Sequence, residues 1–464
     1  MSQNLDVLNL AVLSYPSRDT EKAALVCNYL RSQGASVIEG CVSNGYFLLL
    51  KYRPKILFIS GNITCSTYAQ VASFAKWLGS KVVTLTSEGG SKPGWGAQQF
   101  LDNIYEKPYF IDYWFQWNNQ DKEERIAAIP EEADSFITTG SIGHDRYKLK
   151  SIAQKIKSDK VYKKIIGVGG WRFDLFIDLS LQGETYASLF KNREDIEAFF
   201  KKERDIFSNI LFNIVKKYSN YLFILKMHPT LDSPHAAGFE KCQNLPNVLL
   251  VKDVPIIDCL ASSDLWLTVE SNTSVEAWLL DIPTAIINPS GTDWPVPRND
   301  FHLYQPNYRT IEDLSQALSC FDEKGYFPEF DDFKPARETF IKSLIEHNDG
   351  LNHVRAGNFI LNFLNQPERV HSQTKLKDHA KLLVNNILHW YLSPLHRFMP
   401  SHIPYFAQFK KFWETHRKIW NEEERMKTSC RLLAAQHALY EEKGLSLKDL
   451  RKIQAAPIPN DWSK

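Results

Sequence analysis

The first 160 residues alternate short apolar runs with amphipathic stretches. The apolar runs LNLAVLSY, ASVIEG, KILFISG, KVVTLTS and SFITTGS predict β-strands. The patterns between them predict helices over Thr20 to Gln33, Asn44 to Lys51, Thr67 to Leu78 and after His144. Strands separated by helices are typical of parallel βαβ units. We therefore expect a Rossmann-like α/β domain over residues 1–160.

The same alternation starts again in the middle of the chain. The runs KKIIGVGGW, YLFILKMHP, NVLLVKD, DLWLTVES and PTAIINP predict strands, and helices are predicted over Ile196 to Lys217, Pro255 to Ala261 and Thr273 to Leu280. This pattern predicts a second Rossmann-like domain over residues 161–330. Open α/β sheets bind ligands beyond the carboxyl ends of their strands. Two facing sheets would place that crevice between the domains.

Residues 331–464 form a region in which the pattern becomes helical, and the chain turns basic and aromatic from about Gln366. Residues 367–464 hold 17 Lys and Arg against 10 Asp and Glu, which leaves a net charge of −6 on the rest. Two interpretations are open. Aromatic stripes at helical spacing usually pack into a core, which favours helices folded back over both domains. A basic amphipathic surface could instead rest on an anionic membrane.

The overall composition is that of a soluble globular protein, with 464 residues, 44% hydrophobic, 23% charged and a net charge of +1. The seven cysteines show no C-x-x-C spacing, which argues against a zinc site or a disulfide framework and fits a reducing cytoplasm. No apolar run approaches the roughly 18 residues of a membrane span. Residues 1–366 are net acidic and carry no nucleic-acid-binding motif, so nucleic acid is not an expected partner.

One strand ends in the unusual sequence KMHPT. A proline cannot donate to the strand ladder, so Pro229 explains the end of the strand by itself. Lys226 and His228 would then lie at the carboxyl edge of the second sheet, where an imidazole can stabilise charge on a leaving phosphate. Gly169 and Gly170, at the end of the preceding strand, would let the backbone approach that phosphate, although they could also form a simple interdomain turn.

A run of polar residues crosses from the strand DLWLTVE into a helix. Ser271, Asn272, Thr273 and Ser274 include strong helix-capping residues, which explains part of the run. A helix start with several hydroxyl and amide side chains is also suited to a phosphate. Glu276 could close a capping box with Thr273, or it could accept hydrogen bonds from the hydroxyls of a ribose. The sequence leaves both roles open.

An acidic turn follows a strand of the first domain. Glu88 precedes two glycines in SEGG, so its carboxylate could enter the cleft and take a proton from an attacking hydroxyl. An exposed acidic turn residue is the alternative. The chain has no persuasive D-x-D motif or histidine cluster, so we expect neither a metal nor another cofactor.

The ordered motifs SEG, HP and SNTS resemble those of GT-B glycosyltransferases of bacterial surface-carbohydrate assembly that use cytidine-activated donors. These enzymes include bacterial sialyltransferases, capsule Kdo transferases and, more distantly, CDP-glycerol polymerases. The resemblance implies that Glu88 activates the acceptor, that His228 touches the donor phosphate, and that the Ser271–Ser274 run holds phosphate or ribose. It departs at Ser87, where the sialyltransferases usually hold the acidic base, and some Kdo-type enzymes use an acidic residue as a nucleophile instead.

The resemblance implies a metal-independent GT-B enzyme that moves a Kdo- or sialic-acid-like sugar from a CMP-activated donor to a glycan or glycolipid acceptor at the cell surface. It implies a cytoplasmic protein, whose basic C-terminal region could contact the cytoplasmic face of the inner membrane. Three alternatives stay open. They are a UDP-N-acetylglucosamine 2-epimerase-like enzyme, which shares the two-domain architecture, a CDP-glycerol-type transferase, and a non-catalytic assembly scaffold.

Overall fold

A computed structural model describes most of the chain. The described residues are 5–11, 19–61, 66–85, 110–149, 152–158, 160–177, 193–228, 233–291, 294, 300–366 and 422–455. The chain divides into two compact units. The first comprises Met1–Ile152 and Lys342–Lys464, and the second comprises Ala153–Ile341.

The first unit contains a six-stranded parallel sheet. Its strands are β1 (Val7–Ala11), β2 (Val37–Cys41), β3 (Ile56–Ile59), β4 (Lys81–Leu85), β5 (Tyr113–Gln116) and β6 (Phe136–Thr138). Their order in the sheet is β2-β1-β3-β4-β5-β6. The accompanying helices are α1 (Asp19–Ser32), α2 (Gly45–Tyr52), α3 (Ser66–Trp77) and α4 (Asn119–Ala128).

The burial of this sheet explains why its strands are mostly apolar. Every residue of β1, β3 and β4 is buried. Strands of a parallel sheet are covered on both faces, so apolar residues predominate in them. The polar Asn9 of β1 is buried with its side-chain amide donating to the Phe58 carbonyl. The sequence pattern did not predict β5 and α4. The helix expected after His144 is a 3-10 helix, Ile142–Lys148.

The second unit contains another six-stranded parallel sheet. Its strands are β7 (Ile165–Gly169), β8 (Leu222–Lys226), β9 (Val248–Val251), β10 (Leu265–Thr268), β11 (Thr284–Ile287) and β12 (Asn307–Tyr308). Their order is β12-β11-β10-β7-β8-β9. Counted within the unit, this is the Rossmann order 3-2-1-4-5-6, in which the direction of winding reverses between the first and fourth strands. The reversal here lies between β7 and β10.

Among the described residues, six α-helices lie wholly within the second unit. They are α5 (Asp174–Ile177), α6 (Arg193–Lys217), α7 (Ile256–Ala261), α8 (Thr273–Trp278), α9 (Ile311–Lys324) and α10 (Pro328–Asp332). The long helix α6 contributes Phe200, Phe207, Leu211 and Ile214 to a core shared with β7 and β8. Residues of these types at spacings of three and four form one apolar face of a helix, which explains why α6 packs along the sheet.

Helix α11 (Lys334–Ile345) begins in the second unit and ends in the first, since the division falls between Ile341 and Lys342. The helices α12 (Asn352–Leu364), α13 (Glu422–Glu442) and α14 (Leu447–Leu450) belong to the first unit. Both α12 and α13 contact α1. The sequence predicts one helical region over 331–464, whereas the structure groups the residues from Lys342 onward with the first sheet. Within the ranges described above, no helix is long and apolar enough to cross a membrane.

Two predictions about the architecture are confirmed. Both units are Rossmann-like α/β units, and the described residues of the C-terminal part are mainly helical, which is the predicted combination of elements. Of the basic stretch after Gln366, the structure describes residues 422–455, and these pack on α1 of the first unit through α13. The aromatic segment over 367–421 lies outside the described residues.

Candidate functional site

The candidate site lies at the carboxyl edge of the second sheet, at the reversal between β7 and β10. Strand β7 pairs with β8 on one side and with β10 on the other. In an open α/β sheet, the chain leaves the two central strands toward opposite faces, and ligands bind in the crevice that this opens. The residues that follow β7, β8 and β10 are therefore the first candidates for ligand contacts.

Gly169 ends β7 and Gly170 follows it, and their missing side chains leave room for protein atoms. A Cβ on Gly169 would lie 3.1 Å from Thr273 Oγ1 and 3.2 Å from the Trp266 indole. A Cβ on Gly170 would lie 2.9 Å from the Lys226 carbonyl oxygen, to which the Gly170 N–H donates at 2.8 Å. Packing between neighbouring strand ends is thus a sufficient reason for glycine at both positions.

The polar run after β10 forms a compact turn at the start of α8. Ser271 Oγ accepts hydrogen bonds from the Thr273 N–H at 3.3 Å and from the Thr273 hydroxyl at 3.1 Å. Asn272 is exposed. Ser274 is fully buried, and its Oγ accepts from Gln305 Nε2 at 3.1 Å. Ser271, Asn272 and Thr273 therefore retain surface on which a ligand could bind, whereas Ser274 serves the packing beneath them.

Glu276 lies half-buried on the first turn of α8. The capping box that the sequence suggested for Glu276 and Thr273 is not formed. Asn272 is the N-cap residue, so Thr273 already lies inside the helix, and the N-cap makes no side-chain hydrogen bond. The alternative role for Glu276, as an acceptor for ribose hydroxyls, stays a prediction.

Lys226 is the last residue of β8, and His228 lies two residues beyond it in a different environment. Lys226 is 7% exposed, and its ammonium donates to the carbonyls of Met227 and Lys252, which ties the ends of β8 and β9 together. Burial lowers the pKa of Lys226. His228 is exposed. Two strand spacings separate β8 from β10, so their ends lie about 10 Å apart.

Sequence reasoning missed Glu270, which lies just before the polar turn. This residue is 7% exposed, and its Oε1 accepts from the Phe301 N–H at 2.9 Å. Together with the Gln305 to Ser274 bond, this contact ties the segment 300–305 to the turn after β10. A carboxylate at the end of a buried strand was the available signal, because such groups are rarely buried without a partner.

The remaining predicted residues of the site, Glu88 and Pro229, lie outside the described residues. Their proposed roles therefore stay predictions. In the part of the chain that the structure describes, no group of three or more His, Cys, Asp or Glu side chains is arranged to hold a metal ion.

Comparison with known proteins gives structural neighbours only. No protein-family model matches the chain, and no curated protein matches it. The UDP-GlcNAc 2-epimerase from Neisseria meningitidis bound to UDP-GlcNAc is 13% identical, with a TM-score of 0.46 over 78% of this chain and 99% of that chain. A glycosyltransferase from Rickettsia africae is 12% identical, with a TM-score of 0.46 over 78% and 100%. The wall teichoic acid polymerase TagF is 14% identical, with a TM-score of 0.47 over 78% and 91%. Likeness at this level assigns neither a substrate nor a reaction.

Proposed function

We propose that the protein is a sugar-transferring enzyme whose second unit binds the nucleotide part of an activated sugar. The observation that carries the proposal is the turn Ser271–Thr273, which lies where the strand order of a Rossmann-like sheet reverses. Nucleotides are the ligands that this position commonly binds in such sheets. Hydroxyl groups, an exposed amide and backbone N–H groups suit the oxygens of a phosphate.

The chemistry of transfer is proposed for the neighbouring strand ends. An exposed imidazole at His228 can donate a hydrogen bond to the departing phosphate. Glu276, half-buried on the first turn of α8, would accept hydrogen bonds from ribose hydroxyls. Lys226, Gly169 and Gly170 would act by shaping the strand ends, because the Lys226 ammonium and the space beside both glycines are already taken by protein atoms.

The finer assignments rest on the sequence motifs. They are a CMP-activated Kdo- or sialic-acid-like donor, a surface glycan or glycolipid acceptor, and Glu88 as the group that activates the acceptor hydroxyl. The reaction would need no metal, since a histidine donor and the polar turn could neutralise the leaving group. We also propose that the basic C-terminal region contacts a membrane surface peripherally.

Nucleotide binding is the direct test. We expect isothermal titration calorimetry to detect CMP or CDP, and Ser271→Ala to weaken binding about tenfold, which is the loss of one hydrogen bond to a charged group. Ser319→Ala, on α9, is the matched control and should bind like the wild type. Binding of UDP or UDP-GlcNAc alone would contradict the cytidine assignment. Absence of all nucleotide binding would contradict the proposed function and favour the scaffold.

Turnover separates the transferase from the epimerase. We expect a His228→Ala variant to bind the nucleotide but to lose most of its sugar transfer, because the imidazole acts on the leaving group. Full transfer by this variant would remove His228 from the mechanism. Conversion of UDP-GlcNAc to its 2-epimer without an acceptor would show that the protein is an epimerase rather than a transferase.

A further inference from the structure

Trp266 lies at the centre of the candidate site without being exposed to it. The residue is fully buried in β10, and its indole fills the space left by two glycines of β7. A Cβ on Gly167 would lie 2.2 Å from the indole Cε3, and a Cβ on Gly169 would lie 3.2 Å from Nε1. The alternation of glycines in β7 thus holds the indole in one position, since successive residues of a strand point to opposite faces.

The indole begins a directed chain of hydrogen bonds that ends at Ser271. Trp266 Nε1 donates to Thr273 Oγ1 at 3.1 Å. An indole N–H can only donate, so Thr273 Oγ1 must accept this bond. The Thr273 hydroxyl then donates to Ser271 Oγ at 3.1 Å. The buried indole thus takes one of the two acceptor positions of Thr273 Oγ1, and the proton of this hydroxyl goes to Ser271.

These hydrogen bonds leave Ser271 Oγ able to make one further hydrogen bond. Its Oγ accepts from both the N–H and the hydroxyl of Thr273. A hydroxyl has two acceptor positions and a single proton, so Ser271 can make a further bond only as a donor. Within the described ranges, no side chain or backbone oxygen accepts that proton.

A second hydroxyl at the same strand end supports a polar ligand. Thr268 is the last residue of β10 and is fully buried, and its Oγ1 has no hydrogen-bond partner among the described residues. Strand alternation puts its side chain on the same face of the sheet as that of Trp266. A buried hydroxyl without a partner is costly, and a bound polar group or water would relieve that cost.

We infer that Trp266 is a positioning residue that makes Ser271 a dedicated hydrogen-bond donor to an anionic oxygen of the ligand. The inference rests on the proposed function, in which this oxygen belongs to the phosphate of a nucleotide. Trp266 itself does not touch the ligand. It acts by fixing the direction of the Thr273 hydroxyl.

The test is a double-mutant cycle on binding of CDP and UDP, measured by isothermal titration calorimetry. Trp266→Phe removes the indole N–H and retains an aromatic ring. We expect this variant to bind the preferred nucleotide about three- to tenfold more weakly, part of the worth of a hydrogen bond to a charged group. In the Ser271→Ala background, Trp266→Phe should cause no further loss, because its effect passes through Ser271.

Trp278→Phe is the matched control. The Trp278 indole also donates to a threonine hydroxyl, that of Thr284, at 2.7 Å, but at the start of β11 rather than at its carboxyl end. Its loss should leave nucleotide affinity unchanged. Thr273→Val interrupts the chain of hydrogen bonds at its second member. It would be measured in place of Trp266→Phe if that variant does not fold.

The outcomes separate the inference from the proposed function. Equal losses for Trp266→Phe in the wild-type and Ser271→Ala backgrounds, or wild-type affinity in Trp266→Phe, would overturn the inference and leave the function standing. A wild-type protein that binds neither CDP nor UDP would overturn both. If Trp278→Phe lost as much nucleotide affinity as Trp266→Phe, the effect would be a general one on folding, and this too would overturn the inference.

Discussion

Replacement of Tyr440 by Phe tests how the C-terminal helix α13 is joined to the first unit. The Tyr440 hydroxyl lies 2.6 Å from His353 Nε2, and His353 Nδ1 lies 2.8 Å from Asp145 Oδ2. We assign Nδ1 as the protonated nitrogen, because the carboxylate must accept. Nε2 is then the acceptor of the tyrosine proton. Burial raises the pKa of Tyr440, so the phenol keeps that proton.

The expected loss of stability in Tyr440→Phe follows from the burial of both side chains. His353 is 0% exposed, and Tyr440 is 6% exposed. Removing the hydroxyl leaves the imidazole nitrogen buried without its donor, which costs about 1–3 kcal/mol. A free-energy change of this size raises the equilibrium constant for opening about 5- to 150-fold. The network joins α12, α13 and the 3-10 helix Ile142–Lys148, so we expect the loss of stability to affect the first unit.

Hydrogen exchange followed by mass spectrometry is the suitable assay, because it resolves the two units within one sample. Amides of α1 and α13 should exchange faster in Tyr440→Phe, while those of α6 in the second unit should not change. Tyr326→Phe, at a side chain that is 54% exposed, is the control and should alter neither. Unchanged protection of α13 in Tyr440→Phe would refute the reasoning that this network holds the helix.

Two further predictions concern packing and pH. Gly167→Ala should destabilise the second unit by about 1–3 kcal/mol, since its Cβ would lie 2.2 Å from the Trp266 indole; an unchanged melting temperature would contradict this. Burial, with Lys22 and Arg146 nearby, lowers the pKa of His144 to about 3. The unfolded chain therefore binds more protons below pH about 6.5, and the free energy of unfolding falls as the pH drops toward 3, by at most about 1.4 kcal/mol per pH unit. His144→Gln should flatten this dependence in urea titrations at pH 7 and 5, and a wild-type slope would count against it.

The sequence predicted the strands that are buried on both faces. Short runs dominated by apolar residues, such as those of β1, β3 and β4, predict strands that are covered on both faces of a sheet. The two missed elements differ in their local signals. Strand β5 has the sequence YWFQ, whose aromatic residues favour a strand, so this element could have been predicted. Helix α4 is largely polar and has no clear apolar period, and its start is marked by Asn118, whose side chain accepts from the Asp121 N–H at 2.7 Å.

The chemistry of individual residues depended on contacts that the sequence does not show. The glycines of GVGG suggested a phosphate loop, whereas in the structure the space beside Gly167 and Gly169 is occupied by Trp266, about 100 residues later in the chain. Lys226 suggested a ligand cation, whereas burial brings its ammonium to the carbonyls of Met227 and Lys252. Local pattern cannot report which distant side chain fills such a space.

The sequence by itself determined the α/β class, the two Rossmann-like repeats and the end of β8 close to His228. Each of these depends on hydrophobic periodicity or on proline over a few neighbouring residues. Tertiary structure decided the strand order and therefore the position of the reversal between β7 and β10. It also decided that α13 packs on α1 and that the Trp266 indole donates to the hydroxyl of Thr273. These features depend on which distant segments meet, and that is fixed by the packing of the whole unit.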